Sequence, residues 1–350
     1  MSDNITIKDI ARMCNVGVGT VSRAINDDPG INEKTKEKIL KTVRKYRYVP
    51  NTSARNLKIT ESNTIALVVC GVGNVFFSSM YDDFQSELEK NGYDFFLDSV
   101  DNDVNIPAEA LRLSKEKRLK GIIFLGGWIN PESRSLLNVN VPFVFCTVSR
   151  TMEGPHAPCP TVGISDIAEA KRMVDYLCDM GHRRIAIIAG VEGDMAVGGG
   201  RLEGYKQSLT EHGIEVDERL ICHMKKDIDE FTVENGYAVT KELIDSGSDF
   251  TAVFCISDLT AMGAYRAIYD AGLKIPDDIS VVGFDGIEFG DYMYPRITTM
   301  VQPRHEMAVE SVKILLSLIA GEKDINDAVF ETELLTRDSV RRIDRSTGGN

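Results

Sequence analysis

Thr20, Ser22 and Arg23, closely preceded by Val18 and Gly19 in the run GVGTVSRAIN, put two hydroxyls and a guanidinium on one short stretch of chain. These groups match the chemistry of a DNA major groove. A guanidinium donates twice to guanine, hydroxyls serve base edges or phosphates, and a valine meets the methyl of thymine. Gly19 offers no side chain, so hydrogen-bond readout at the Val18–Gly19 pair is nearly absent and Arg23 carries most of the direct readout. One bidentate contact of that kind discriminates between bases by about 1–3 kcal/mol. A second set of groups follows apolar, strand-like runs further along. Asn74, Phe76 and Phe77 come after TIALVVC, Asp258 after TAVFCI, Asp285 after SVVGF, and Arg201 opens a helix after the glycine-rich GDMAVGGG. An amide, aromatic faces, a forked cation and carboxylates that each accept two hydrogen bonds are the equipment of a site for a polyhydroxylated molecule.

Each of these residues also has a plainer role. Asp258 directly precedes LTAMGAYRAIYDAG and reads equally as a helix cap; Phe76 and Phe77 read as core, and Trp128 in GGWIN as packing. Catalysis finds no motif. CGVGNVF carries two glycines of a dinucleotide fingerprint but Phe76 where the third belongs, and Gly198 to Gly200 have the wrong spacing. HExxH, Walker and GxSxG patterns are absent. His156, His182, His212, His223 and His305 are scattered without ligand spacing. The expectation is a binding protein with no catalytic activity, metal or cofactor.

The elements that must position the first group are short helices. Thr6 can cap a helix with Asp9 three residues on, and Ile7, Ile10, Ala11 and Cys14 recur at helical spacing. Gly17 can cap the next, with Val16 and Val21 spaced as a hydrophobic staple. Val21, Ala24 and Ile25 then point inward, which leaves Val18, Gly19, Ser22 and Arg23 outward. Asn32 starts a third helix that turns Ile39, Leu40, Val43 and Tyr46 to the same core and spreads Lys34, Lys36, Lys38, Lys41 and Lys45 around it. Charge is segregated in the same way. Residues 1 to 60 hold 12 Lys and Arg against 6 Asp and Glu, while the whole chain is at −13. A sequence pI near 5.0 argues against nucleic acid only when the basic charge is spread evenly, and here it is gathered onto one module.

From Thr64 onward apolar runs (TIALVVC, YDFFLDS, GIIFLGG, VPFVFC, RRIAIIAG, TAVFCI, SVVGF) alternate with amphipathic helices at 78–90, 166–180, 201–212 and 258–271. That alternation signals doubly wound parallel α/β structure. It occurs twice, with boundaries near Ile164 and Asp291, so a ligand belongs between two lobes at the carboxyl ends of strands. An odd count of seven cysteines, several inside apolar runs, reads as buried free thiols in a reducing compartment. MSDNITIKD has no export signal and no window approaches a membrane span, so the expected location is the cytoplasm.

These segments carry a resemblance. TIKDIARMCNVGVGTVSRAIN followed by YRYVPNTSARNLK closely resembles the head and hinge of LacI/GalR (lactose-repressor) family transcription regulators. DMGHRRIAIIAG, RLEGYKQSL, CISDLTAMGAYRAIYDAGLKIPDDISVVGFDGIEF and ITTMVQP resemble that family's effector-binding core, in the family's order and over nearly the whole chain. The resemblance implies a small all-α helix-turn-helix DNA-binding domain at 1–48, a hinge segment at 49–63, and at 64–350 an α/β, two-lobed periplasmic-binding-protein-like domain with doubly wound parallel sheets. Lobe 1 would take about 64–163 and 292–323, lobe 2 about 164–291 and 324–340. It implies a homodimer on a palindromic double-stranded operator, with Asn26, Asn51, Ala54 and Arg55 joining the recognition helix. Leu57 matches the wedge that such a hinge inserts into the minor groove, at a cost of a few kcal/mol per unstacked step. It also implies a small-molecule effector, a sugar in the commonest case, touched by the Asn74 to Phe77 loop and stacked on Phe231.

A sugar phosphate, a purine-type corepressor and the direction of the response remain open. A solute-binding protein of a sugar importer shares such a core but needs export. Three departures from the family pattern bear on specificity: Gly17 stands where Ser is usual, Ser165–Asp166 replaces an Asp-Asn pair, and Ser149–Arg150 replaces Asp-Arg. The terminal RRIDRSTGGN lacks the apolar heptads of a tetramerising coiled coil.

Overall fold

The computed structural model describes residues 5–25, 30–46, 63–71, 74–100, 105–127, 138–148, 159–323 and 325–343. The expected DNA contacts Asn26, Asn51, Ala54, Arg55 and Leu57 lie outside these residues, as do Trp128, Ser149 and Arg150. Contacts divide the chain into two compact units, Met1–Ser62 and Asn63–Asn350.

The first unit holds helices α1 (Ile7–Cys14), α2 (Val18–Ile25) and α3 (Glu33–Lys45). Thr6 starts α1 with its amide and hydroxyl both donating to Asp9, at 3.0 and 2.5 Å. The Gly17 carbonyl accepts from the amides of Thr20 and Val21, at 2.9 and 3.2 Å, and so opens α2. Asn32 caps α3 by accepting from the Lys34 amide at 3.1 Å. Ile10, Ala11, Cys14, Val21, Ala24 and Ile39 close the core. Each fully buried large aliphatic contributes about 1.5–3 kcal/mol. Lys38 donates to the Cys14 carbonyl at 2.9 Å, a cation on the end of α1 where the helix dipole favours one. Tyr46 corrects the expected stripe: α3 ends one residue earlier, and Tyr46 is 40% exposed rather than packed inward.

The second unit is built on two six-stranded sheets with the same internal order. The first takes β1 (Thr64–Cys70), β2 (Asp94–Val100), β3 (Gly121–Leu125), β4 (Phe143–Cys146), β5 (Thr161–Ile164) and a late strand β11 (Ala328–Phe330), ordered β11-β5-β4-β3-β1-β2. The second takes β6 (Ile185–Ala189), β7 (Ile221–His223), β8 (Ala252–Cys255), β9 (Ser280–Asp285), β10 (Thr298–Val301) and β12 (Glu333–Leu335), ordered β12-β10-β9-β8-β6-β7. Period-two side chains explain the sandwiching. Ile65, Leu67 and Val69 of β1 enter one apolar cluster, and Ala66, Val68 and Cys70 enter another on the opposite face. Every pairing is parallel except β10 with β12, an antiparallel edge that alternation alone does not reveal.

Helices cover both sheets: α4 (Val75–Ser78), α5 (Tyr81–Lys90), α6 (Ile106–Lys117) and α11 (Arg304–Ile319) the first, and α7 (Asp166–Asp179), α8 (Val197–Glu211), α9 (Val233–Asp245) and α10 (Asp258–Asp270) the second. Two glycines let α9 and α10 approach backbone to backbone. A Cβ on Gly236 would strike the Thr260 carbonyl, and one on Gly263 the Val233 carbonyl.

The chain passes between sheets three times, and two crossings differ from the sequence expectation. The first follows Ile164, between β5 and β6. The second falls at Gln302–Pro303 rather than near Asp291, because Thr298 to Val301 pair with Val282 to Asp285 and so complete the second sheet before leaving it. The third falls at Glu331–Thr332 rather than near 324, since Ala328 to Phe330 still pair with Val162 to Ile164 in the first sheet. Thr332 is pinned there, its hydroxyl donating to Glu169 at 2.6 Å and its carbonyl accepting from Arg172 at 3.1 Å. The helix expected to open at Arg201 opens at Val197, and the glycine run forms its first turn.

Candidate functional site

On α2, Val21 and Ala24 are buried while Val18, Gly19 and Arg23 are exposed and Thr20 and Ser22 half-exposed, so one face carries all five expected readers. Gly17 has open space around it: a Cβ there would meet only Thr20 Oγ1, at 3.9 Å.

In the second unit a cavity of about 650 Å³ opens where the strands of both sheets end. That volume lies in the ordinary range for small-molecule sites. In each sheet the strand order reverses beside the first strand of the repeat, β1 or β6, and loops diverging there leave a crevice. The first lobe lines it with Asn74, Phe76, Phe77, Gly126, Gly127 and Thr147, none of them charged. Asn74 caps α4 by accepting from the Phe76 amide at 3.0 Å, which leaves its Nδ2 to donate. Phe76 is only 3% exposed and sets its ring edge-on to Phe77 at 5.9 Å. Phe77 is half-buried over Gly126, where a Cβ would come within 2.7 Å of its ring.

The second lobe supplies charge. Arg201, 5% exposed, donates from Nε to Asp166 at 2.9 Å and from Nη1 to the Ile256 carbonyl, and Asp285 stands 3.6 Å from Nη1. Its guanidinium carbon lies over the Phe284 ring, 3.8 Å from the centroid, a cation–π contact. Asp285 accepts from Gln302 Nε2 at 2.8 Å. Burial pushes its carboxyl up to about 7 against the pull of Arg201, and the charges of Asp258 and Asp166 add to the rise. Asp194 folds back to accept from the Ala196 amide at 2.6 Å; burial raises its carboxyl while the amides of Ala196, Gly198 and Gly199 oppose the rise. The glycine run is thus a seat for Asp194, since a Cβ on Gly190 or Gly198 would strike its Oδ2. Glu230 beside Phe231 is raised by burial and by the charge of Asp194. Thr147, Phe231 and Asp285 all line the cavity at positive φ, 65, 56 and 114°. Strained residues of this kind persist where the surrounding structure over-determines them, commonly at ligand sites.

Of the expected effector residues, Asn74, Phe76, Phe77, Arg201, Phe231 and Asp285 converge on this cavity. Asp258 does not. Ser257 is the cap of α10, and Asp258 is fully buried behind the site, accepting from Thr299 Oγ1 at 2.7 Å and the Ile287 amide at 2.8 Å. It fastens α10 to β10 and the loop after β9, and burial raises its carboxyl to about 6.

Comparison with known proteins matches residues 6–51 to the family described as bacterial regulatory proteins, lacI family, and residues 174–340 to the periplasmic binding protein-like domain. The HTH-type transcriptional regulator MalR of Clostridium butyricum is 38% identical over 97% of this chain and 100% of its own. The chain belongs to the LacI family. Among solved structures, this LacI-family chain is similar to the transcriptional regulator CelR in complex with cellobiose, with 28% identity, a TM-score of 0.70, and 96% and 99% of the two chains covered. It is also similar to the lac repressor dimer bound to operator and the anti-inducer ONPF, with 25% identity, a TM-score of 0.73, and 97% and 100% covered.

For a LacI-family regulator, the cavity residues that sequence reasoning left unassigned include Asp166, Gln302, Asp194 and Glu230. Asp166 follows a strand and was visible as a departure from the family pair. Gln302 sits at a crossover whose position only strand pairing reveals, and Asp194 hides in a loop read as a lead-in to a helix. Glu230 sits next to the aromatic that the resemblance singled out, in KKDIDEF, a run that reads as a solvated acidic loop. Among the described residues no helix is long and apolar enough to cross a membrane.

Proposed function

We propose that this LacI-family chain acts in the cytoplasm as a repressor: a homodimer holds a palindromic operator and releases it when a carbohydrate fills the cleft. The observation that carries this reading is the cleft itself. Uncharged aromatic and amide groups of one lobe face hydrogen-bonding carboxylates and Arg201 of the other, in a chain that begins with a basic helix-turn-helix. The complexes of CelR with cellobiose and of the lac repressor dimer with operator support the same assignment of ligand, DNA and second copy here. The protein works by binding alone.

On this reading Arg23 reads guanine, Thr20, Ser22 and Asn26 hold phosphates and base edges, and Val18 meets thymine with bare Gly19 beside it. Residues 1–48 form the reading domain, and 49–63 the hinge that brings Asn51, Ala54, Arg55 and the Leu57 wedge to the minor groove. Phe77 and Phe231 cover the apolar faces of the sugar, Asn74 donates to it, and Asp285 and Asp194 accept from its hydroxyls. Because contacts come from both lobes, the sugar binds a closed arrangement better than an open one, and that difference is what moves the equilibrium. The three inter-sheet crossings are where the lobes pivot.

Fluorescence anisotropy with the protein's own upstream DNA tests the proposal. Specific binding at moderate salt should weaken by 5- to 150-fold when the correct sugar is added, the range of ordinary coupling free energies of 1–3 kcal/mol. Binding no stronger than to random duplex would overturn it.

A further inference from the structure

The capacity of this cleft to hold an anion is already consumed by the protein's own carboxylates. A buried arginine and the N-termini of helices ordinarily attract phosphates and carboxylates, because they present N–H donors and positive charge. Arg201 has given Nε to Asp166 and Nη1 to the Ile256 carbonyl, with Asp285 at 3.6 Å, so only Nη2 remains for a ligand. Asp166 also occupies the first turn of α7. Asp194 occupies the start of α8, accepting from the Ala196 amide, and the missing Cβ atoms of Gly190 and Gly198 leave the space that its carboxylate fills. Among the described residues neither Asp194 nor Glu230 forms an ion pair, and each feels burial first of all. Lys226 is the other cation among the described lining residues, and it is exposed. Among the described residues the lining carries five acidic side chains, those of Asp166, Asp194, Asp229, Glu230 and Asp285, against two cations, and those of the first lobe add no charge; with Asp285 only partly ionised near pH 7 the acids still outnumber the cations.

We propose that the effector carries no negative charge: it is a neutral or amino-bearing sugar that donates hydrogens to these carboxylates, and phosphorylated and uronic sugars are rejected by Asp194 and Glu230. The inference rests on the cleft being the effector site. At an effective dielectric of about 20, one like charge held ~7 Å away lowers affinity more than tenfold, enough to exclude an anion that fits in every other respect.

The test uses the full-length protein and matched sets of probes: glucose, galactose, maltose and cellobiose, each beside its 6-phosphate or 6′-phosphate, with glucosamine, glucuronate and galacturonate. Thermal shift identifies binders and calorimetry measures them. At least one neutral sugar should bind, its phosphate or uronate counterpart should bind at least tenfold more weakly, and Glu230→Lys should narrow that ratio. The inference is overturned when an anionic member binds as tightly as its neutral parent, when no neutral member binds, or when the ratio is the same in Glu230→Lys. Operator binding measured with the same panel keeps the two readings apart. An anionic sugar that loosens the operator complex defeats this inference and leaves the regulator standing. Sugars that bind without altering operator affinity defeat the regulator instead.

Discussion

Arg201 lies between Asp166 and Asp285 with its guanidinium over the Phe284 ring, and all three charged groups are almost fully buried. Removing one partner from such an arrangement leaves charge without compensation, which costs about 3–5 kcal/mol. Arg201→Ala should therefore lower the free energy of urea unfolding by about that amount, far more than a lost ligand contact alone; a loss below about 1 kcal/mol would mean that the arginine is not integral to the lobe. Asp285 gives a second test. Its carboxyl titrates near 7 in the free cleft, and a sugar hydroxyl donating to it favours the ionised form and lowers that value. Binding then expels a proton, so affinity should rise as pH goes from 6 to 8 and level off above. Calorimetry in two buffers of different ionisation enthalpy reads the proton directly, and Asp285→Asn should abolish the release. Proton uptake on binding would contradict the assigned role.

Helix α2 is short and carries glycine at its second position, so it owes its order to packing by Val21 and Ala24 more than to its own propensity. A Cβ on Gly19 meets nothing within 4 Å. Gly19→Ala should then stabilise the fold by about 0.4–1 kcal/mol, because alanine has fewer unfolded conformations to lose. Hydrogen–deuterium exchange of the α2 amides in the full-length protein should slow by about two- to fivefold. Unchanged exchange would show that α2 opens only when the whole head unfolds. The start of this helix was legible in the sequence because caps and staples act over four or five residues. Tyr46 was misplaced for the same reason: the spacing that put it on the inner stripe continues one residue past the point where α3 stops.

At the scale of the molecule, the proposed control of DNA by a sugar is a linkage between two sites, and linkage is reciprocal. Operator DNA must change the affinity for the sugar by the same factor by which the sugar changes the affinity for the operator. Titrating the sugar into protein alone and into the protein–operator complex measures this factor; two unequal factors would show that a further species takes part. The two sheets that make such a linkage possible repeat one strand order, and the chain joins them at Ile164, Gln302 and Glu331.

The sequence by itself determined the helix-turn-helix, its outward face, the doubled α/β pattern and the family, because each is written in local spacing or in motifs a few residues long. Tertiary structure alone decided which acids meet the ligand. Asp258 and Asp285 both follow buried strands and look alike in one dimension, yet Thr299 and the Ile287 amide claim the first, while the second turns to the cavity at a φ of 114°. Asp166, Asp194 and Gln302 come together from three distant segments, and the lobe boundaries depend on which strands hydrogen-bond to which. Pairing between strands and the burial of charge are properties of neighbours in space, and periodicity along a chain carries no record of them.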